Sequence, residues 1–347
     1  MNIGVLTGGG DCPGLNAVVR AIVHKGVFRY NYNFFGIRDG WRGLMGEGAI
    51  SPLTVNEVSN IHALGGTILK TSRTNPYKQP DGPAQVKKVM TKSKLDALIV
   101  IGGVDTLGVA AKMHADGVKL VAVPKTIDNN VWGTDRTFGF DTAVNVAAEA
   151  IDRIRTTAEA HNRVFVVEVM GRDAGWIALE SGIAGGATMI LLPEFPVDLE
   201  RVVQSVVGRH ERGGVFTVIV VAEGTKLKRE GGEPQPVVLD AQRDEFGNVR
   251  LGGVADKIVE AIAKQTGFDC RAVRLGHIQR GGSPSAYDRV LATRYGIVAV
   301  EMIRAGEFGR MAALRGTKIE TVPLDEVAKS TKTVDPDLYE IAEVFFG

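Results

Sequence analysis

Short apolar runs recur along the chain, and each ends in glycine or polar residues before a helix-like pattern begins. The first four are NIGVLT (2–7), ALIVIGG (97–103), KLVAVP (119–124) and RVFVVEVMG (163–171), and the later runs TMILLP, TVIVVAEG and CRAVRLGHIQ follow the same plan. Continuous Val, Ile and Leu residues are typical of strands buried on both faces, and their alternation with helices is typical of parallel βαβ units. The pattern therefore predicts an α/β protein with doubly wound, mainly parallel sheets.

The length of the chain predicts two lobes. It has 347 residues, of which 44% are hydrophobic and 23% charged, and single hydrophobic cores rarely grow beyond about 250–300 residues. We expect a first lobe of residues 1–140 with part of the C-terminal region, a second lobe of residues 141–300, and a segment 301–347 that packs back on the first lobe. Residues 225–253 are polar and contain several Pro and Gly, which predicts a surface excursion.

Charge, cysteine content and hydropathy argue against several classes of protein. The net charge is +1 and no polybasic run occurs, which argues against nucleic-acid binding by bulk electrostatics. The two cysteines, Cys12 and Cys270, form no CxxC motif, so neither a disulfide framework nor a zinc site is indicated. The N-terminus lacks a signal-peptide pattern, and no apolar run approaches the ~20 residues of a membrane span. We therefore expect a cytoplasmic protein without nucleic-acid or membrane partners.

Three glycine turns are candidates for phosphate binding. GGGDCPG (8–14) opens the first helix, where backbone N–H groups can approach an anion, GGVDT (102–106) follows a second strand, and GGTILKTSR (65–73) carries Lys70 and Arg73. The first turn lacks the GxGxxG spacing of a dinucleotide site, and the chain has no GK[ST] triplet of a P-loop. Taken alone, that turn is equally compatible with simple helix packing. Together, the three turns favour a polyphosphate held by backbone groups and point charges.

The heptad PKTIDNN (124–130) follows the strand KLVAV and combines one carboxylate, one ammonium group and two amides. Asp128 could act as a general base and Lys125 as a cation that binds an anion, whereas Asn129 and Asn130 could form the turn. Pro, Asn and Asp are also ordinary turn residues, so the heptad by itself leaves a strand-to-helix turn open.

A group of basic residues in the second half of the chain is expected at strand ends beside glycine. A structural role is the commoner one for a single arginine, but the whole group favours a dianionic ligand such as a sugar phosphate, because the guanidinium fork matches phosphate oxygens. Glu223, at the end of TVIVVAE, could accept sugar hydroxyl groups or cap a helix. The basic group comprises Arg163, Arg172, Arg271, His277 and Arg280.

Taken in order, these motifs resemble those of the 6-phosphofructokinase family. The matching stretches run from residue 1 to about residue 300 and are GGGDCPGLNA, GGT…SR, GGVDT, PKTIDNN, GTDRTFGFDTA, AHNRVFVVEVMGR and RLGHIQRGGSP. The resemblance implies a phosphofructokinase-like fold and the phosphorylation of fructose 6-phosphate on its 1-hydroxyl group, with ATP or pyrophosphate as donor and Mg²⁺ as cofactor. It also implies a homodimer or homotetramer, because Arg163 and Arg271 reach in from a neighbouring subunit in the family.

The resemblance further implies a role for each candidate residue. Asp128 would take the proton from the sugar hydroxyl, and Arg172 would stabilise the transferred phosphoryl group, with Thr126 and Lys125 as the other catalytic residues. The donor would be bound by Gly10, Arg73, Gly103, Asp105, Thr106 and Lys125. The sugar phosphate would be bound by Thr126, Asp128, Arg163, Met170, Gly171, Arg172, Glu223, Arg271, His277 and Arg280.

Two positions favour pyrophosphate over ATP as the donor. ATP-using members of the family have glycine at the position of Asp105 and usually glycine at that of Lys125, whereas pyrophosphate-using members resemble this chain. A carboxylate at Asp105 would occupy the place of an α-phosphate and repel it, and Lys125 supplies a cation to a short, highly charged donor. The sequence therefore predicts a pyrophosphate-dependent transferase, with the ATP-dependent reaction as the alternative.

Two other positions depart from the family pattern. The family has an acid that helps to hold magnesium at the position of Val104, and valine has no oxygen with which to bind a hard cation. The family also has aspartate where this chain has Asn130. The protein ligands of the metal are therefore unassigned, and a non-catalytic homologue that binds a sugar phosphate is the alternative from another functional class.

Overall fold

The structure is a computed structural model that describes residues 1–46, 49–229 and 232–346. Its strands are β1 (Asn2–Gly8), β2 (Asn33–Ile37), β3 (Ile50–Pro52), β4 (Ala97–Gly102), β5 (Leu120–Pro124), β6 (Val164–Val169), β7 (Met189–Leu191), β8 (Thr217–Ala222), β9 (Lys226–Arg229), β10 (Gly232–Pro236), β11 (Val238–Asp240), β12 (Arg250–Leu251), β13 (Cys270–Arg274), β14 (Arg310–Arg315) and β15 (Lys318–Pro323). Its α-helices are α1 (Leu15–Tyr30), α2 (Val55–Val58), α3 (Gly82–Lys92), α4 (Val104–Ala115), α5 (Phe140–His161), α6 (Trp176–Ala184), α7 (Leu199–Glu211), α8 (Val254–Thr266), α9 (Ala286–Ala305), α10 (Leu324–Val327) and α11 (Pro336–Glu343).

The chain divides into two compact units. Unit 1 comprises Met1–Thr142, Asp244–Asn248 and Arg280–Lys332, and unit 2 comprises Ala143–Arg243, Val249–Gln279 and Thr333–Gly347. The division differs from the expected lobes at the short segment Asp244–Asn248, which belongs to unit 1, and in two longer stretches. Residues 280–300 belong to unit 1, because α9 packs along α1 and β5. Residues 333–347 belong to unit 2, because α11 packs against β7 and α6.

Unit 1 is built on a seven-stranded sheet in the order β15-β14-β5-β4-β1-β2-β3. The inner strands are parallel, and the edge strands β3 and β15 are antiparallel to their neighbours. Side chains such as Leu6, Val100 and Ala122 are fully buried in its core, as continuous aliphatic strands require. The chain leaves β1 for β2 on one side and returns to β4 on the other, so the loops after β1 and β4 flank the crevice where such sheets bind ligands.

Unit 2 is built on a parallel sheet of four strands in the order β13-β6-β8-β7. Its core joins the sheet to α7 and α8 through residues such as Val166, Ile219 and Ile258. In the polar stretch 225–253, β9 pairs with β10 and β11 pairs with β12, both antiparallel. The predicted α/β class with mainly parallel sheets is confirmed. Among the described residues, no helix is both long enough and apolar enough to cross a bilayer.

A buried carboxylate on β6 caps helix α8. Glu168 is 5% exposed, and it accepts hydrogen bonds from the backbone N–H groups of Gly253 and Ala255, each at 3.0 Å. The first N–H groups of a helix have no acceptor within the helix, and the helix dipole favours a negative charge at this end. The carboxylate therefore fixes the start of α8 to the sheet.

We expect Glu168→Ala to lower the free energy of unfolding by about 1–3 kcal/mol, because the substitution leaves buried N–H groups without an acceptor. Urea denaturation measures the effect. The control is Glu211→Ala, at an exposed position in the last turn of α7, which should stay within about 0.5 kcal/mol of wild type. Equal stability of the two variants would contradict a capping role for Glu168.

Candidate active site

One buried threonine lies against both glycine turns, the one after β1 and the one after β4. Thr106 lies in the first turn of α4 and is buried. A Cβ atom at Gly8 would lie 2.7 Å from Thr106 Oγ1, and one at Gly102 would lie 2.4 Å from Thr106 Cβ. Because neither position has room for a side chain, glycine lets the two turns and the start of α4 approach closely. The structure thus brings GGGDCPG and GGVDT together at the carboxyl edge of the unit 1 sheet.

The segment that carries Arg73 joins the same edge. The N–H group of Gly9 donates to Ser72 O at 3.0 Å, and Thr71 Oγ1 donates to Gly9 O at 2.5 Å. These hydrogen bonds hold residues 71–73 alongside the first glycine turn. All three glycine-containing segments singled out in the sequence therefore contribute to one side of unit 1.

Lys125 is a buried cation beside the first glycine turn. The residue is 2% exposed, its Nζ donates to the carbonyl oxygen of Gly10, and its backbone N–H donates to Gly102 O at 2.9 Å. Burial lowers the pKa of Lys125 to about 8, and the charge of Arg280 acts in the same direction. Arg280 Nη1 donates to Asp11 O at 3.1 Å, so this arginine, expected in the second lobe, lies in unit 1 against the glycine turn. Two cations at one turn suit an anionic ligand.

The heptad after β5 forms a loop that presents Asp128. The N–H group of Asp128 donates to Thr126 Oγ1 at 3.1 Å, and Thr137 Oγ1 donates to Thr126 O at 2.7 Å. Asn129 is buried with φ 50°, and its Oδ1 accepts the N–H of Thr137 at 3.1 Å. Asn129 is therefore a loop-forming residue, while Asp128 is partly exposed beside it.

The two positions that depart from the family pattern supply no obvious metal ligand. Val104 is the first residue of α4, and Asn130 is buried with its carbonyl oxygen accepting the N–H of Lys332 at 2.9 Å. In the described part of the chain, no three His, Cys, Asp or Glu side chains are grouped so that they could hold a metal ion. Magnesium commonly binds through one or two carboxylates together with substrate phosphates. The residues present thus fit an ion carried by a phosphate ligand rather than an all-protein site.

In unit 2, the turns after β6 and β8 contact each other through their backbones. Met170–Arg172 follows β6 and Glu223 follows β8, its neighbour in the sheet. The N–H of Gly224 donates to Gly171 O at 3.0 Å, and a Cβ at Gly224 would lie 1.9 Å from the carbonyl oxygen of Arg172. Glycine at position 224 therefore permits the approach that brings Met170, Gly171, Arg172 and Glu223 together.

A buried amide joins the turn that carries His277 to the same edge. Gln279 is fully buried, its Oε1 accepts the N–H of Met170 at 3.3 Å, and its Nε2 donates to Gly276 O at 3.0 Å. His277 is exposed in this turn. The sequence analysis assigned no role to Gln279. The available signal was an uncharged amide between Gly276 and the glycine pair that ends RLGHIQRGG.

Arg163 and Arg271 lie at the opposite edge of the unit 2 sheet. Arg163 immediately precedes β6 and Arg271 is the second residue of β13, whereas Met170 follows β6. Six residues of strand span about 20 Å. The expectation that all five basic residues lie beside glycine at the ends of strands is therefore wrong for these two.

A carboxylate that the sequence analysis did not identify holds both of these arginines. Arg163 Nε donates to Asp269 Oδ2 at 2.6 Å, and Arg271 Nη1 contacts Asp269 Oδ1. Hydrogen bonding to Arg163 is the main cause that lowers the pKa of Asp269, and the charge of Arg271 adds to it. The two guanidinium groups are thus presented side by side at the start of β6 and β13.

Two further residues predicted to bind the donor, Arg73 and Asp105, contact a short segment of the polar excursion. Arg73 Nη1 lies 3.2 Å from Asp244 Oδ2, and Asp105 Oδ2 accepts a hydrogen bond from Asn248 Nδ2 at 3.3 Å. Gly103, between the end of β4 and Asp105, is the N-cap of α4. The structure therefore places Gly10, Arg73, Gly103, Asp105, Thr106 and Lys125 in unit 1.

Comparison with known proteins identifies the family to which this chain belongs. A family model described as phosphofructokinase matches residues 2–303, and the chain belongs to that family. It is 55% identical, over the full length of both chains, to a pyrophosphate–fructose 6-phosphate 1-phosphotransferase of Amycolatopsis methanolica. It is 48% identical, over 99% of both chains, to an ATP-dependent 6-phosphofructokinase 3 of Streptomyces coelicolor.

A solved structure supports the same assignment of the fold. A phosphofructokinase from Pichia pastoris aligns with a TM-score of 0.81 and 30% identity, and the alignment covers 99% of this chain and 36% of that one. The chain thus spans about a third of the length of the yeast protein. The predicted family and the predicted phosphofructokinase-like fold are confirmed.

The ionisation of Lys125 predicts a pH dependence for anion binding. Its ammonium group loses a proton as pH rises through the pKa of about 8, so affinity for pyrophosphate should be higher below this pH and fall above it. Losing a hydrogen bond from a charged group should cost roughly ten-fold in affinity. Titration calorimetry on either side of this pKa measures the change. Lys125→Gln has no ammonium group to titrate, so it should bind pyrophosphate weakly at every pH. Any pH dependence of its affinity then comes from the ionisation of pyrophosphate alone. Equal pH dependence in the two proteins would contradict the assignment.

Proposed function

We propose that the chain transfers a phosphoryl group from pyrophosphate to the 1-hydroxyl group of fructose 6-phosphate. The observation that carries the proposal is the pair of charges at the donor loops of unit 1, the buried ammonium group of Lys125 on the glycine turn and the carboxylate of Asp105 on α4. The full-length identity to a pyrophosphate–fructose 6-phosphate 1-phosphotransferase supports the same donor and the same sugar.

The two charges act on the donor in opposite ways. Lys125 and the backbone N–H groups at the start of α4 stabilise a compact, highly charged pyrophosphate. Asp105 lies where a longer donor would continue, and two like charges about 4 Å apart repel by about 4 kcal/mol in a partly screened site. A nucleoside triphosphate would meet this repulsion, whereas pyrophosphate ends before it.

The loop after β5 supplies the acid–base chemistry. Asp128 is the general base that accepts the proton of the sugar 1-hydroxyl group as that oxygen attacks phosphorus. The hydroxyl oxygen of Thr126 already accepts the N–H of Asp128, so its own hydrogen is available to a phosphoryl oxygen. Arg172 stabilises the charge that spreads over the transferred group.

The sugar phosphate is bound by a further set of side chains. Met170, Gly171, Glu223 and His277 hold the sugar, and Arg280 binds the 6-phosphate. Arg163 and Arg271 bind the 6-phosphate in the site of a neighbouring subunit, and their position at the far edge of the unit 2 sheet from Met170 supports this role. Asp269 positions both guanidinium groups. The proposal therefore implies a homodimer or homotetramer.

Magnesium would enter with pyrophosphate, and Asp128 would hold the ion through water. When bound, the ion offsets the negative charge of the phosphate oxygens. Val104 contributes no ligand, so the protein relies on Lys125, Arg172 and the N-terminus of α4 for a larger share of that charge.

We expect the purified protein to convert fructose 6-phosphate to fructose 1,6-bisphosphate in the presence of Mg²⁺, with kcat/KM for pyrophosphate at least about ten-fold above that for ATP. A coupled assay of fructose 1,6-bisphosphate measures both. The reverse order would establish the ATP-dependent reaction. A rate no higher than background with both donors at any magnesium concentration, in a protein that still binds fructose 6-phosphate, would identify a non-catalytic homologue. The lack of an acid at Val104 and at Asn130 is the feature that favours this alternative.

We expect Asp128→Asn to lower kcat by roughly 10²–10⁴-fold, the usual contribution of a general base. Binding of fructose 6-phosphate should change by no more than about a few-fold, because the amide retains the size of the carboxyl group. The matched control is Asp152→Asn, at an exposed position on α5, with kcat near wild type. If both variants turn over equally fast, Asp128 is not the base.

A further inference from the structure

A five-residue turn from the polar excursion belongs to unit 1, although the residues on both sides of it belong to unit 2. In this turn, Asp244–Asn248, the carboxylate of Asp244 accepts the N–H groups of Phe246 at 3.0 Å and Asn248 at 2.9 Å. The N–H of Asp244 donates to Asn248 O at 3.0 Å, and that of Gly247 donates to Asp244 O at 2.9 Å. The 244–248 turn is therefore shaped by its own hydrogen bonds.

These bonds also keep the turn charged near neutral pH. Partial burial acts to raise the pKa of Asp244, but the hydrogen bonds from Asn248 and Phe246 and the charge of Arg73 outweigh burial and lower it. The carboxylate that organises the turn therefore stays ionised, and the turn keeps its shape in the pH range where the proposed reaction would run.

The first two residues of the turn contact the segment that carries Arg73. Asp244 Oδ2 lies 3.2 Å from Arg73 Nη1, and Glu245 Oε2 accepts the backbone N–H of Asn75 at 2.7 Å. The Arg73–Asp244 pair is half-exposed, and such pairs contribute at most about 1 kcal/mol. A pyrophosphate oxygen can therefore replace Asp244 at Arg73 without much loss.

The other end of the turn is fixed beside α4. Phe246 packs against the hydrophobic core of unit 1, and Asn248 Nδ2 donates to Asp105 Oδ2 at 3.3 Å. Burying a phenylalanine side chain contributes up to about 1.5–3 kcal/mol, more than the pair at Arg73. Binding of pyrophosphate at Arg73 would thus leave Phe246 and Asn248 in place.

We infer that the 244–248 turn sets the length of the phosphoryl donor by closing the site beyond Asp105. The inference rests on the proposed function, in which pyrophosphate lies between the glycine turn of Gly10 and the start of α4. A donor that continued past Asp105 with a nucleoside would meet Asn248 and the backbone anchored by Phe246. The turn therefore adds a steric limit to the electrostatic limit that Asp105 imposes.

The test separates these two limits by starting from Asp105→Gly with Lys125→Gly, which removes the repulsion of a longer donor by Asp105 and the stabilisation of a short donor by Lys125. Adding Phe246→Ala and Asn248→Ala should raise the affinity for ADP by a further factor of about ten. It should raise kcat/KM for ATP relative to that for pyrophosphate by about the same factor. Titration calorimetry with ADP and the coupled assay measure the two effects. The matched control adds Glu233→Gln and Val238→Ala, at exposed positions of the same excursion outside the turn, and should produce no gain.

Binding of ADP decides the inference even in the absence of turnover. A gain in ADP affinity confined to the turn variants supports a length limit, whereas no gain over the control, or a loss of pyrophosphate affinity alone, overturns it. Inactivity of the wild type with pyrophosphate would refute the proposed function and leave the ADP comparison unaffected. Thermal unfolding checks that the variants fold, and Asn248→Ala alone serves if the combined substitution does not.

Discussion

Parallel pairing of buried aliphatic strands is the constraint on which both sites depend. Parallel strands end at the same edge of a sheet, so loops that are far apart in the sequence meet there. In unit 1 this edge collects the turns after β1, β4 and β5, and in unit 2 it collects the turns after β6, β8 and β13. Glycine then decides how closely the loops approach, as at Gly8 and Gly102 against Thr106 and at Gly224 against Arg172.

The whole chain carries a net charge of only +1, so attraction of an anionic donor depends on local charges such as that of Lys125. The ammonium group of Lys125 is buried, where desolvation disfavours its charged form, and an anionic donor would restore that form. The same group of loops carries Val104 and Asn130, where the family resemblance implies acids. A site with fewer carboxylates needs less metal charge to bind pyrophosphate, so the two departures and the buried lysine act in the same direction. This balance favours a short donor whose charge is concentrated near Gly10.

Unit 2 presents two separate sets of polar side chains on one sheet. Met170–Arg172, Glu223 and His277 lie at its carboxyl edge, and Arg163 and Arg271 lie at the opposite edge with Asp269 between them. In the proposed function, the first set binds the sugar in its own subunit and the second set binds the phosphate in a neighbouring subunit. Because the length of β6 separates the two sets, a change of side-chain rotamer cannot bring a residue of one set into the position of the other.

The sequence by itself determined the α/β class, the seven aliphatic strands β1, β4, β5, β6, β7, β8 and β13, and the candidate loops that follow them, because aliphatic runs and glycine turns are local signals. The sequence left open whether PKTIDNN is an ordinary turn or carries reactive groups, and only the tertiary structure assigns a place to each residue. It makes Asn129 a loop-forming residue and buries Lys125 against Gly10. Gln279, Asp269 and the turn at Asp244 were missed for the same reason. Their partners, Met170, Arg163 and Arg73, lie more than 100 residues away in the chain. Contacts between such distant residues leave no periodic pattern in the sequence, since the sheet order brings them together.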